Sequence, residues 1–230
     1  MEIRDFSRII GCLFAVDILL GLFYVADWWA GMPFFFISRL VSLQWEMSLA
    51  SWYSTVQLFA LALALTLLWW SSRRLDGGRH LSLALFAALV FLMSCDEAIS
   101  LHERLGMVMT KAIAAKEARG VFAERTGYWP YVLGLPAAAL LGVTLYFAAR
   151  SLRDAPVTRV KLASGMAMLL IGAVGLESWW NFASEGAMAD VVEPWLEETL
   201  EMLGVTVMLW GALQGLERRG VAIAMRRSSS

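Results

Sequence analysis

The chain is 230 residues long, 59% hydrophobic and only 17% charged, with a mean hydropathy of +0.63. Soluble domains lie near about 45–50% apolar and about 25% charged, so this composition excludes a soluble globular domain and indicates an integral membrane protein. The formal net charge of −1 carries no nucleic-acid signal, and with no basic patch, zinc-finger spacing or glycine-rich phosphate loop, no nucleic-acid partner is expected.

The first apolar stretch, 9–29, follows "MEIRDFSR". It is too long for a signal peptide, it carries Asp17, and no Ala-x-Ala pattern follows it. It is therefore read as a transmembrane helix, which needs about 20 mainly apolar residues. Five more candidates follow, at 48–70, 81–101, 131–149, 162–182 and 195–216. The breakers "GMPFF", "RRLDGGRH", "GYWP", "LRDAPVTRVK" and "ASEGAMADVVEP" separate them. The stretch "PFFFISRLVSL" is too short to cross and should lie at the interface. Segment 104–125 mixes Leu, Met, Val and Ile with Lys, Arg and Glu, as an amphipathic surface helix does. Cys12 and Cys95 both fall in spans, without a disulfide or metal spacing. The expected fold is an all-α polytopic bundle of about six helices, forming a single domain over 1–230.

Lys and Arg set the orientation. With the N-terminus in the cytoplasm, thirteen of the 19 basic residues fall on the inner side. Most of the outer ones belong to the amphipathic segment. Both termini are therefore expected to be cytoplasmic.

In this frame the acids gather at one depth. The third span ends outward in "MSCDEAISLHERLG", carrying Asp96, Glu97, His102 and Glu103. The second begins outside beside Glu46, the fifth ends outside at Glu177, and the sixth begins outside with Glu193, Glu197, Glu198 and Glu201. A carboxylate inside a bilayer costs roughly 2.5–3.5 kcal/mol on insertion scales. A bound cation, shared protons or contact with water at the rim would each offset that cost. The plain alternatives are a helix end emerging into water for "DEAISLHE" and acids favouring the helix dipole for "EETLE". Pro194 would then stand early in the sixth helix. Glu46 and Glu177 have a similar alternative, as interfacial acids beside tryptophans. Asp17, near mid-depth, either pairs with Arg8 or accepts a helix–helix hydrogen bond. Ser51, Tyr53, Ser54 and Gln57 would extend a polar cavity inward.

At about 100° per residue, Asp96, Ser100 and Glu103 share one stripe of a continuous helix, with Glu97 on its flank. His102 points to the far side unless a π-bulge turns it. Glu193, Glu197 and Glu201 form an i, i+4, i+8 row. Two helices offering carboxylates can clasp a metal, as in di-iron bundles, although no Glu-x-x-His occurs here. The chain has two histidines, which excludes multi-histidine membrane hydroxylases and three-histidine zinc hydrolases. A carboxylate-rich set with one imidazole suits a divalent metal such as Fe, Mn or Zn. The first candidates as ligands are Glu97, His102, Glu198 and Glu201, completed by Glu46 and Glu177. Asp96 and Glu103 are candidates either to support the ligands from behind or to act as catalytic acid and base.

Three elements carry a resemblance: Glu46 with Trp52, Tyr53 and Ser54; Asp96, Glu97, Leu101, His102 and Glu103; and Glu197, Glu198, Leu200 and Glu201. Across 45–204 this pattern resembles a group of uncharacterised bacterial polytopic membrane proteins bearing Asp-Glu-x-x-x-Leu-His-Glu. The resemblance supports the choice of residues, implies the inner (plasma) membrane of a bacterium, and implies no reaction.

The leading expectation is a metal-dependent membrane enzyme, oxidative or hydrolytic, acting on a lipid-like or membrane-delivered substrate. Segment 104–125 would be its lid. A proton- or cation-coupled transporter using the same acids is the second expectation. A non-catalytic subunit of a membrane complex, or of a homo-oligomer, is the third.

Overall fold

The computed structural model describes residues 2–3, 6–45, 47–78, 80–114, 129–180, 189–221 and 223–224. Apart from an antiparallel pairing of Glu2–Ile3 with Ile223–Ala224, every element among them is helical. Six stretches are long and apolar enough to cross a membrane: Ser7–Trp29, Leu49–Leu75, Leu81–Ile99, Pro130–Ser151, Pro156–Trp180 and Val191–Arg218. The protein is an all-α membrane bundle, as its composition requires.

The helices are α1 (Ser7–Trp29), a short α2 (Phe35–Val41), α3 (Leu49–Asp76), α4 (Leu81–Ile99), α5 (Leu101–Ala114), α6 (Leu135–Ser151), α7 (Pro156–Leu170), a single turn α8 (Glu177–Trp180) and α9 (Ala189–Arg218). Local chemistry sets their ends. The Ser48 hydroxyl caps α3 by accepting from Ser51 N at 3.1 Å, which satisfies one of the unpaired amides of a first turn. Gly77, at φ 64°, closes α3 in the left-handed conformation that glycine adopts without strain. Helix α3 runs past the expected 70 because charge ends hydropathy but not helix. Arg74 stacks over Trp70, 3.9 Å from the ring centre, and keeps its apolar stem on the helix. Helix α7 likewise begins at Pro156, before 162, and carries Arg159 and Lys161 within it. Pro194 stands inside α9 and not at its start.

Helices α3, α4, α6, α7 and α9 form a ring, each packed on the next in the order α9–α3–α4–α6–α7 and back to α9, while α1 packs on α9 from outside. The arginine-bearing end of the ring is filled by Leu61, Leu65, Leu83, Phe86, Val90, Leu162, Met166, Met208 and Leu209, all buried. The α7–α9 seam is a backbone-to-backbone crossing, since a Cβ on Gly204 would stand 2.6 Å from Gly165 O. Such close approach is the usual way membrane helices gain contact. At the other end the ring opens. Phe34, Phe35 and Phe36 of the α2 region are exposed there, as expected of an interfacial segment, and Arg39 of α2 stacks over Trp45 at 4.3 Å.

Asp17 is fully buried between α1, α3 and α9. It does not pair with Arg8, which is exposed. Tyr53 Oη donates to its Oδ1 at 2.7 Å, Gln57 Nε2 to the same oxygen at 2.9 Å, and Thr206 Oγ1 to Oδ2 at 2.7 Å. Tyr53 and Gln57 thus serve this knot and not the polar cavity. Asp17→Ala removes the acceptor shared by Tyr53, Gln57 and Thr206 and leaves the buried Thr206 hydroxyl without the group it donates to, and an unmet buried polar group costs about 1–3 kcal/mol. A fall in detergent melting temperature is expected, and an unchanged value would show that the knot is not structural.

Candidate functional site

The expected continuous stripe through Asp96, Ser100 and Glu103 does not form, because the helix breaks at Ser100. That residue adopts a left-handed φ of 50° between α4 and α5. The break, and not a π-bulge, brings His102 back toward the bundle. Its amide donates to Asp96 Oδ1 at 2.9 Å, and its Nδ1 lies 2.6 Å from Asp96 Oδ2. Asp96 therefore does two things. It receives an amide at the start of α5, as a capping residue does, and it orients the imidazole. With the carboxylate accepting, Nδ1 carries the proton and Nε2 is the basic ring nitrogen.

The π-turns lie elsewhere. Residues Pro130–Gly134 lead into α6, and Ile171–Leu176 connect α7 to α8. The two pack against one another, with Val174 Cγ2 3.4 Å from where a Cβ of Gly134 would stand. The second delivers Glu177 directly. Trp129, just before the first, donates its indole Nε1–H to Glu177 Oε1 at 2.6 Å. The ring of Trp129 also packs on that of His102, with centroids 4.7 Å apart.

A cavity of about 370 Å³ occupies the open end of the ring, within the size range of small-molecule sites. Asp96, Glu97 and His102 line it from the α4–α5 break, Glu177 from α8, and Glu193, Glu197, Glu198 and Glu201 from α9. Ser51 and Ser54 add hydroxyls from α3, while Leu58, Met93, Leu141, Leu169 and Val205 form apolar wall and floor. Helices α4 and α9 do not pack as a pair. They face each other across the cavity, each leaning on α3. Among the candidate residues, Glu97, His102, Glu177, Glu198, Glu201 and Asp96 come together on this one surface. Glu46 and the side chain of Glu103 lie outside the described residues, as does 115–125 of the amphipathic segment.

The charge on this surface is one-sided. Seven acids and one histidine line it, with no Lys or Arg among the described lining residues. Glu201 is within electrostatic reach of Glu198, Glu197, Glu97 and Glu177. Among the described residues no hydrogen-bond donor reaches its carboxylate. Gly172 gives it room, since a Cβ there would stand 2.8 Å from Glu201 Cγ. As the side chains stand, no three His, Cys, Asp or Glu among the described residues are gathered into a metal-holding group.

A family model described as a domain of unknown function (DUF8692) matches residues 12–214. The chain belongs to this family. The match runs from within α1 to near the end of α9, so the ring and all the described acids of the cavity lie inside the family's domain. No curated protein and no solved structure matches the chain.

Trp129 is a residue that sequence reasoning missed at this site, because a tryptophan at the end of a span is ordinarily an interfacial anchor. The available signals were Pro130 directly after it and the paired Gly172 and Gly175 shortly before Glu177. Both mark irregular backbone where a regular span was expected.

Proposed function

We propose that the protein is a metal-dependent membrane enzyme acting on a lipid-like or membrane-delivered substrate at this cavity. The observation that carries the reading is that acids of α4, α8 and α9 meet a histidine on the surface of one cavity. Oxygen donors with one imidazole fit Mn, Fe or Zn by type. Glu97, His102, Glu177, Glu198 and Glu201 would hold the ion, with Glu46 as a further donor. A bound ion would supply Lewis acidity or an activated water. Asp96 would fix the tautomer and direction of His102, as carboxylates behind ligating histidines do. Glu103 is kept as an acid/base candidate. The apolar wall suits an acyl or isoprenoid-like chain, held with its polar head among the acids.

The basic residues support an orientation with both termini in the cytoplasm and the cavity opening outward, and the resemblance supports a bacterial plasma membrane. The proton- or cation-coupled transporter is the second reading, favoured by the buried Asp17 at mid-depth. Against it, Leu61, Leu65, Phe86 and Met208 fill the ring beyond the cavity floor, and the Asp17 carboxylate already accepts three hydrogen bonds.

Elemental analysis of detergent-purified protein grown with Mn, Fe and Zn tests the reading. The parent should retain one of them near stoichiometrically, and a folded Glu97→Ala/Glu201→Ala variant should lose it. Metal in neither protein would sink the metalloenzyme and return the acids to proton handling.

A further inference from the structure

We propose that Trp129 is the positioning residue of this site, holding His102 and Glu177 at a fixed separation although they sit on different helices. The inference rests on the reading of these two groups as metal ligands. The indole N–H grips Glu177 Oε1 at 2.6 Å while the ring lies against the imidazole, centroids 4.7 Å apart. Three backbone features aim it there. Gly106 of α5 clears the way, since a Cβ there would stand 2.7 Å from Trp129 Cβ. Gly134 lies under the far edge of the ring, where a Cβ would be 3.3 Å from Cζ3. The π-turns adjoin both partners, the first starting directly after Trp129 and the second ending directly before Glu177, at places where such turns are often found in functional sites.

This arrangement places the hydrogen bond and the ring contact on one rigid side chain. An indole has two rotatable side-chain bonds, so fixing it costs little entropy relative to what it orders. A carboxylate that accepts a strong N–H bond on one oxygen presents the other in a set direction. A histidine with Asp96 on Nδ1 and a tilted indole against its ring has little freedom left for Nε2. Loss of such outer partners typically costs about 10–100-fold in metal affinity.

The test uses the full-length protein in detergent, with Mn(II) as probe and binding read from the electron paramagnetic resonance of free Mn(II). Trp129→Phe keeps a ring beside His102 and removes the N–H. It should weaken Mn(II) binding about 10–100-fold while leaving the His102 imidazole signals near the parent's. Gly106→Val, which pushes Trp129 from behind, should weaken binding and move those signals. The chain has only two histidines, so nitrogen-15 labelling of histidine gives a spectrum in which His102 is identified by His102→Gln. Parent-like Mn(II) affinity in Trp129→Phe, where Glu177→Ala abolishes binding, would overturn the proposal. If the parent binds no Mn(II), the same titration is run with Zn(II) and Fe(II); if it binds none of the three, the metal reading fails by itself, and the histidine spectrum decides the positioning role. His102 signals displaced by Trp129→Leu then support it, and unchanged signals overturn it.

Discussion

Glu201→Gln should melt at a higher temperature than the parent in metal-free detergent, and should no longer bind a divalent cation. Both effects have one origin. The Glu201 carboxylate lies in the cavity wall opposite α4, near Glu198, Glu197, Glu97 and Glu177, with no described donor on it. Glutamine keeps the shape, so Gly172 still accommodates the Cγ, and it removes one member of a like-charged group. Relief of about 1 kcal/mol raises a chain of this size by about 2–4 °C. Stability stored against function in this way is a mark of a working site. Added Mn(II) should then raise the melting temperature of the parent, because a ligand of the folded state stabilises it, and should leave that of the variant unmoved. A variant that melts lower than the parent without metal would mean that the carboxylate is structural, and the plain helix-end account of "EETLE" would stand.

The spans were legible because apolar runs of bilayer length have few other interpretations. Their ends were less so. Arg73 and Arg74 stop the hydropathy signal of the second span, yet the helix continues because their stems stay on its surface. The shared depth of the acids was also readable, since it needs only the span order and the basic-residue bias. What could not be read was which helices adjoin. The carboxylates of the third and sixth spans could clasp an ion only if they meet, and in the structure each helix packs on α3 while their acids line one cavity. Helical geometry itself misled at His102. Spacing puts it on the far side of a regular helix, and only the left-handed Ser100 returns it to Asp96. Serine carries no strong signal for that conformation, which glycine or asparagine would have announced. Tyr53 and Gln57 show the same limit. Their alternation with Ser51 and Ser54 places the pairs on different faces of α3, and the sequence does not say which face meets Asp17.

Asp96→Asn should separate the two tasks of this residue. The His102 amide is a fixed donor, so the asparagine oxygen must stay where Oδ1 was. The amide nitrogen then replaces Oδ2 beside His102 Nδ1, which lies 2.6 Å from it in the parent. A donor at that position makes Nδ1 the acceptor and moves the ring proton to Nε2. The basic nitrogen that a metal or a substrate proton requires is lost while the start of α5 remains capped. Melting near the parent value is expected, with metal affinity or activity lower by about 10–100-fold. Histidine nitrogen-15 shifts read the tautomer directly. Asp96→Ala removes the cap as well, and loss of a capping acceptor costs about 1 kcal/mol, or about 2–4 °C in a chain of this size. If Asp96→Asn works as well as the parent while Asp96→Ala does not, Asp96 serves the helix alone. The break at Ser100 would then be a structural turn, and His102 would need its direction from Trp129 instead.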